Sequence, residues 1–127
     1  MLVKIRPASV KVLTDYIRSQ AKVRVSKFEQ TVLDADTVNT LLTKAAFRNG
    51  REGWGIYYDG VLCGYAVVYR PTLTLDLLYV SNDYRNKGIA TQALQLLRVR
   101  NMVVNRNNDV ALALYLSLGM NVEFDDE

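Results

Sequence analysis

The feature that most constrains this fold is a change of hydrophobic period in the second half of the chain. Residues 73–80 form an apolar run that predicts a buried strand, and helical spacing follows over about residues 88–100. A short β-branched segment at residues 102–104 then predicts another strand. A strand, a helix and a strand in this order require a crossover, which places the two strands parallel in one sheet.

The turn between this strand and this helix predicts an anion site. Residues 85–90 read Arg-Asn-Lys-Gly-Ile-Ala, so a basic, glycine-containing turn leads directly into a helix. A helix N-terminus offers unpaired backbone N–H groups and the positive end of the helix dipole. Gly88 lets the backbone approach a bound group without a Cβ clash. We expect a phosphate-bearing ligand here, with Arg85 and Lys87 either adding charge or remaining solvated turn residues.

Composition excludes several kinds of site. The chain has 127 residues, half of them hydrophobic, which predicts one domain over residues 1–127 with one core. It has no histidine and one cysteine, Cys63, which excludes an internal disulfide, the usual zinc clusters and Ser-His or Cys-His catalysis. Cys63 itself fits a small buried strand residue better than a nucleophile. No segment has the length of a signal peptide or membrane span, so we expect a soluble, cytoplasmic protein.

The remaining elements follow from local patterns. An edge strand is predicted at residues 3–6, a helix from Ser9, a second helix from the Ser26 capping box, and its continuation from Asp36. Asp59-Gly60 predicts a tight hairpin between strands at residues 53–58 and 61–69. A last helix ends at Gly119 and a short strand follows at residues 120–124. The predicted fold class is therefore α/β (α+β), a mixed sheet of about six strands with four flanking helices.

Two ordered blocks of residues resemble the GNAT N-acetyltransferase superfamily. Its acetyl-CoA motif, Arg or Gln, two residues, Gly, one residue, then Gly or Ala, is matched by Arg85, Gly88 and Ala90. A second block is matched by Asn108, Ala111, Leu114, Tyr115, Gly119 and Met120. The resemblance implies an acetyl-CoA-dependent N-acetyltransferase that transfers the acetyl group directly to a primary amine, with no acyl-enzyme and no metal.

The resemblance also assigns the residues that would hold acetyl-CoA. Backbone amides along the turn would hold the pyrophosphate: Arg85, Asn86, Lys87, Gly88, Ile89 and Ala90. Asn108 would contact CoA as well as cap the last helix. Backbone groups of Leu78 and Val80 would pair with the pantetheine arm, and the N–H of Leu78 or Tyr79 would polarise the thioester carbonyl.

Two side chains are candidates for the chemistry. A lysine-like amine, with a pKa of about 10.4, is almost fully protonated at pH 7, at a penalty of about 4–5 kcal/mol. Asp76 is the side-chain candidate for the base, because strand alternation places it with Leu78 and Val80 and it matches a position where many relatives carry Glu. It could instead face solvent or pair with an arginine, leaving a water chain as the base. The resemblance makes Tyr115 the proton donor to the departing thiolate, and the alternative is a core aromatic.

Relatives usually have two strands after the last helix, whereas this sequence shows one, so the predicted sheet is truncated at its C-terminal strand. The missing wall of the acceptor site either leaves an open groove for a peptide or is supplied by a second subunit in a homodimer. The acceptor is a small-molecule or peptide amine that sequence does not identify. The alternative function is a non-catalytic acyl-CoA-binding or protein-interaction module on the same fold. A net charge of +3 without interleaved aromatic and basic residues argues against nucleic acid, and no membrane partner is expected.

Overall fold

The computed structural model describes residues 2–20, 50–85, 87–105 and 109–125. Its core is a sheet of six strands in the order β1-β2-β3-β4-β5-β6. The strands are β1 Val3–Pro7, β2 Arg51–Tyr58, β3 Val61–Tyr69, β4 Thr74–Val80, β5 Asn101–Asn105 and β6 Asn121–Asp125. The α-helices of the described residues are α1 Val10–Gln20, α2 Ile89–Leu97 and α3 Asp109–Ser117.

The sheet is mixed, as predicted. Strands β1 to β4 are antiparallel neighbours, and β4, β5 and β6 run parallel. The hairpin at Asp59-Gly60 is confirmed, since both residues take positive φ, 49° and 83°. The predicted fold class is thereby confirmed. The helix predicted from Ser26 and its continuation from Asp36 lie outside the described residues.

Helices cover both faces of the sheet. On one face, here called the α1 face, α1 packs its buried residues against β3 and β4; this cluster contains Leu13, Tyr16, Ile17, Tyr65, Val67 and Tyr79. The opposite face, here called the α2–α3 face, packs β3, β4 and β5 against α2 and α3; this cluster includes Ala66, Val68, Leu75, Leu94, Leu97, Met102 and Tyr115. A third cluster packs β1 to β4 against α2 and contains Val3, Ile56, Cys63, Val80, Ile89 and Ala93. Together the three clusters bury apolar residues on both sides of the central strands.

Helix α2 is shorter than its sequence pattern predicted. Its buried residues are the expected ones, Ile89, Ala93, Leu94 and Leu97. The prediction that it reaches residue 100 was wrong, because Arg98 takes the left-handed conformation and its N–H closes on the carbonyls of Leu94 and Gln95. The chain then turns directly into β5.

Gly119 forms the C-terminal cap of helix α3, as predicted. This residue has φ +72°, the Gly119 N–H donates to the Leu116 carbonyl, and the Met120 N–H donates to the Tyr115 carbonyl. These bonds form a Schellman-type cap, which requires the left-handed conformation that glycine takes at no cost. The cap reverses the chain into β6, parallel to β5.

Candidate active site

A cleft opens between β4 and β5 at the middle of the sheet. The two strands pair only at their first residues, Thr74 with Asn101 and Leu75 with Met102. Yet β4 continues to Val80 and β5 to Asn105, so the strands diverge beyond the second pair. Over that length the edge of β4 that faces β5 lacks a β5 partner, and an extended ligand can pair with it as an added strand would.

The hydrogen-bond phase of β3 and β4 decides which backbone groups face this cleft. Gly64 is paired with Val80, and the Ser81 N–H donates to the Cys63 carbonyl at 2.7 Å. This bond joins the residue before Gly64 to the residue after Val80. Gly64 and Val80 are therefore a non-hydrogen-bonded pair of the antiparallel ladder, whose own N–H and C=O groups point away from each other. The N–H and C=O of Val80, and those of Leu78 two residues earlier, are therefore directed away from β3 into the cleft. Those of Tyr79 are directed to β3, so the geometry favours Leu78 over Tyr79 as the amide facing a thioester.

The turn that follows β4 leads to the open N-terminus of α2. The Tyr84 N–H donates to the Ser81 carbonyl and the Arg85 N–H to the Asn82 carbonyl, so both amides serve the turn itself. The amides of Lys87, Gly88, Ile89 and Ala90 form no such bond within the described residues, and Asn86 lies outside them. Gly88 has φ +76°, and a Cβ built there would meet no atom nearer than Gln92 Nε2 at 4.0 Å. The space beside Gly88 is open, as the approach of a diphosphate requires.

The Arg85 side chain braces this turn. Its Nε donates to the Val80 carbonyl at 2.9 Å, and its guanidinium lies 5.6 Å from the centroid of the Tyr79 ring.

Ser81, at the end of β4, contacts two residues of α1. It hydrogen-bonds to the Tyr16 hydroxyl and donates to Gln20 Oε1. Burial raises the pKa of Tyr16, which stays protonated. Sequence reasoning missed Tyr16, Gln20 and Ser81, since no local pattern connects residues of α1 with the end of β4.

Asp76 lies on the face opposite to the one predicted. Val67 pairs with Leu77 and Val68 with Leu75, so Asp76 is the extra residue of a β-bulge in β4. The bulge interrupts strand alternation. Leu75 and Leu78 both pack on the α2–α3 face, whereas the Asp76 carboxylate turns to the α1 face.

On the α1 face, Asp76 forms an ion pair with β2. Arg51 Nε donates to Asp76 Oδ2 at 2.8 Å, and the two side chains are 27% and 23% exposed. The Arg51 guanidinium also lies over the Tyr69 ring, 5.4 Å from its centroid. The arginine pairing that sequence left open is thus present, and the carboxylate remains partly accessible.

Tyr115 is buried between α3 and the sheet. Only 4% of its surface is exposed, and it belongs to the cluster that contains Leu94, Leu97 and Met102 and against which Leu78 packs. Burial raises the pKa of Tyr115 to about 12. The hydroxyl is therefore protonated at neutral pH, on the α2–α3 face beside the diverging strands.

Other candidates are inert or fall outside the described residues. Cys63 is buried, its Sγ donates to the Ile56 carbonyl, and burial raises its thiol pKa. Asn86 and Asn108 lie outside the described residues.

Over the part of the chain that the structure describes, no group of three or more potential metal ligands occurs. No helix of the described segments is long and apolar enough to span a bilayer.

The cleft between β4 and β5 thus lies beside an open helix N-terminus, in a six-stranded mixed sheet with helices on both faces. The sequence matches the family described as Acetyltransferase (GNAT) family over residues 17–120. This chain therefore belongs to the GNAT acetyltransferase family, and the resemblance found in the sequence is confirmed. No curated protein matches the sequence significantly.

Several solved structures share this fold. PaiA N-acetyltransferase from Thermoplasma acidophilum in complex with coenzyme A is 19% identical, with a TM-score of 0.66 over 99% of this chain and 94% of that one. Ribosomal-protein-alanine N-acetyltransferase from Brucella melitensis biovar Abortus 2308 is 19% identical, with a TM-score of 0.64 over 99% and 96%. A transcriptional regulator from Bacillus halodurans C-125 is 17% identical, with a TM-score of 0.66 over 94% and 93%.

Proposed function

We propose that this protein is an acetyl-CoA-dependent N-acetyltransferase that moves the acetyl group directly to a primary amine. The observation that carries the proposal is the divergence of β4 from β5, with the backbone of Leu78 and Val80 turned into the gap. Bound acetyl-CoA would supply an activated thioester carbonyl. The roles below are those of the chain's own residues.

The amides that begin α2 would hold the diphosphate. Gly88, Ile89 and Ala90 lie at the positive end of the helix dipole, and their N–H groups are among those a helix leaves unpaired. Lys87 is exposed beside them and adds a positive charge. Arg85 would act through its bond to Val80, keeping the turn in place. Asn86 and Asn108 retain the roles that the resemblance implies.

The Leu78 amide would polarise the thioester carbonyl. A backbone N–H held by the β3–β4 ladder needs no reorganisation when negative charge develops on the oxygen. A donor of this kind contributes about 10²–10³-fold to the rate in other acyl-transfer enzymes.

Asp76, or a water held by it, would take the proton of the amine. A carboxylate on the α1 face can accept a hydrogen bond from an ammonium group that approaches from that face. The Arg51 ion pair orients the carboxylate and leaves its second oxygen for the acceptor. An acceptor amine would therefore approach from the α1 face.

Tyr115 would donate a hydrogen bond to the departing sulfur. Its pKa of about 12 lies above that of an ordinary thiol, about 8.5, so full proton transfer would be uphill by roughly 5 kcal/mol. A hydroxyl with this pKa stays protonated and stabilises the thiolate as a donor. The proton that finally rests on the sulfur would come from the amine.

A second candidate is a binding module that holds acyl-CoA without turnover. Burial of Tyr115 in the apolar cluster favours it, because a core tyrosine needs no chemical role. The fold itself does not discriminate, since both N-acetyltransferases and a transcriptional regulator share it.

Two measurements test these functions. At a concentration 100 times its Kd, acetyl-CoA should stabilise the protein by about 2.7 kcal/mol and raise Tm by about 10 °C. Absence of any shift at millimolar acetyl-CoA would rule out both functions. CoA release measured across polyamines, amino acids, aminoglycosides and peptides then separates them, because the binding module releases no CoA above the rate of hydrolysis.

A further inference from the structure

We propose that the amine acceptor carries a carboxylate next to its amino group, as a free α-amino acid does, and that Arg51 binds this carboxylate. The inference rests on the proposed acetyl transfer and adds the chemical class of the acceptor. Its basis is the Arg51–Asp76 pair, which places a cation and an anion side by side on the α1 face, with Asp76 at the residue of β4 where the pairing with β5 has ended.

The contacts of Arg51 leave the two terminal nitrogens of its guanidinium for a ligand. Its Nε donates to Asp76, and the ring of Tyr69 lies under the guanidinium plane. Within the described part of the chain, neither contact uses the two terminal nitrogens in a hydrogen bond. A guanidinium that is held through Nε and by an aromatic ring, in a side chain that is 27% exposed, is suited to bidentate binding of a carboxylate.

The position of the pair matches the position of the reaction. Asp76 precedes Leu78 by two residues, which is about 7 Å along a strand. An amine hydrogen-bonded to the Asp76 carboxylate would therefore lie within reach of a carbonyl held by the Leu78 amide. The carboxylate of the same amino acid, one carbon away from the amine, would face Arg51. The pair is thus complementary to a zwitterion, with each charge opposite its counterpart.

The charges on the α1 face argue against a polycation as acceptor. Arg51 neutralises the charge of Asp76. On β1, Val3 and Ile5 pack on the side of α2, so strand alternation places the exposed Lys4 and Arg6 on the α1 face. Glu52 lies on the opposite face, where its carboxylate binds Arg70.

The exposed Glu123 of β6 also lies on the α1 face, because its neighbour Val122 packs on the α2–α3 face. Among the described side chains of the strands, this face therefore carries three cations, Arg51, Lys4 and Arg6, and two carboxylates, Asp76 and Glu123. A polyamine would meet no net negative charge among these side chains.

The test compares each amino acid with its carboxamide. The twenty free amino acids and their amides are assayed for CoA release at pH 7.5 with saturating acetyl-CoA. The amine of an amide is less basic than that of the free acid, so intrinsic reactivity favours the amide. We expect the reverse order, with kcat/KM for the best amino acid about 10- to 100-fold above that of its amide.

Substitutions of Arg51 assign this preference to its side chain. Arg51→Gln should lower kcat/KM for both acceptors, because Asp76 loses the ion pair that orients it, but the loss should be about 10- to 100-fold larger for the free acid than for the amide, with acetyl-CoA affinity retained. Arg51→Lys keeps the positive charge but lacks the planar guanidinium. Its kcat/KM for the free acid should lie between those of the wild type and Arg51→Gln. Arg70→Gln is the matched control, because it breaks a 2.8 Å arginine–carboxylate pair on the opposite face and should leave the acid-to-amide ratio unchanged.

The outcomes separate this inference from the proposed function. If acetyl-CoA does not bind, the proposed function fails and the inference with it. If acetyl-CoA binds and amines are acetylated, but amides equal or exceed the acids, the acceptor class is wrong and the acetyltransferase assignment stands. Failure to acetylate any free amino acid, or an equal loss for acid and amide in Arg51→Gln, also overturns the role of Arg51.

Discussion

At the scale of single residues, the same backbone conformation serves different purposes in this protein. Gly60 and Gly88 both take φ near +80°, and both have open space where a Cβ would point. Gly60 completes a hairpin turn, whereas Gly88 stands at the beginning of α2 beside the cleft. Conformation alone therefore does not identify a ligand site; the position of the glycine in the fold does.

This pair of glycines yields a matched prediction. Gly88→Ala and Gly60→Ala should each cost about 1 kcal/mol of unfolding free energy, because an L-residue is strained at this φ. Only Gly88→Ala should also weaken acetyl-CoA binding, by about 10-fold, since its methyl group would enter the space beside the turn. Chemical denaturation and calorimetric titration measure the two effects. Equal acetyl-CoA affinities in the two variants would remove Gly88 from the binding site.

Tyr115 allows the enzyme and the binding module to be told apart. Tyr115→Phe should lower kcat by about 10²-fold, because the departing sulfur loses a hydrogen-bond donor, while the Kd for acetyl-CoA stays the same. Tyr57→Phe is the control, since Tyr57 lies on β2, where the Arg6 guanidinium lies 5.3 Å from the centroid of its ring, away from β4 and β5. Stopped-time assays of CoA release give the rates. An unchanged kcat in Tyr115→Phe would leave this residue as a core aromatic.

At the scale of elements, α2 has the clearest sequence signal. Its apolar spacing correctly predicted which residues are buried, because a helix side chain's direction depends only on its neighbours within two turns. The end of α2 was predicted less well. Arg98 carries no sequence mark of a left-handed cap, and β-strand contacts of the next residues decide where the helix stops.

Adjacent leucines of α2 should respond differently to truncation. Leu97 is 1% exposed and Leu96 is 49% exposed. Leu97→Ala should therefore lower the unfolding free energy by about 2–4 kcal/mol, because it leaves a cavity under the helix, and Leu96→Ala by less than about 0.5 kcal/mol. Urea denaturation at 25 °C measures both. Similar losses in the two variants would contradict the assigned burial.

At the scale of the whole molecule, buried tyrosines connect stability with pH. Burial raises the pKa values of Tyr16 and Tyr115, the latter to about 12. Between pH 10 and 12 the folded state keeps protons that the unfolded state has lost. The stabilisation is complete below about pH 10, the ordinary tyrosine pKa, and disappears as pH rises through the folded values.

The Tyr115 contribution can be isolated. From pH 9 to pH 12, wild-type protein should lose about 2 kcal/mol more unfolding free energy than Tyr115→Phe, which has no group to ionise at this position. Urea unfolding at a series of pH values gives the difference. Parallel pH profiles for the two proteins would show that the hydroxyl is accessible to solvent in the folded state.

The sequence alone determined the order of elements, the hairpin, the parallel crossover and the acetyl-CoA motif, because each depends on residues close together in the chain. Tertiary structure decided the cleft and the chemistry around it. The side on which Asp76 lies depends on a bulge in the β3–β4 register, and the face that Leu78 offers to the cleft depends on the same ladder. Arg51 and Asp76 are 25 residues apart and meet only because β2, β3 and β4 are neighbours in the sheet. Contacts across strands are set by non-local pairing, which periodicity within one strand does not encode.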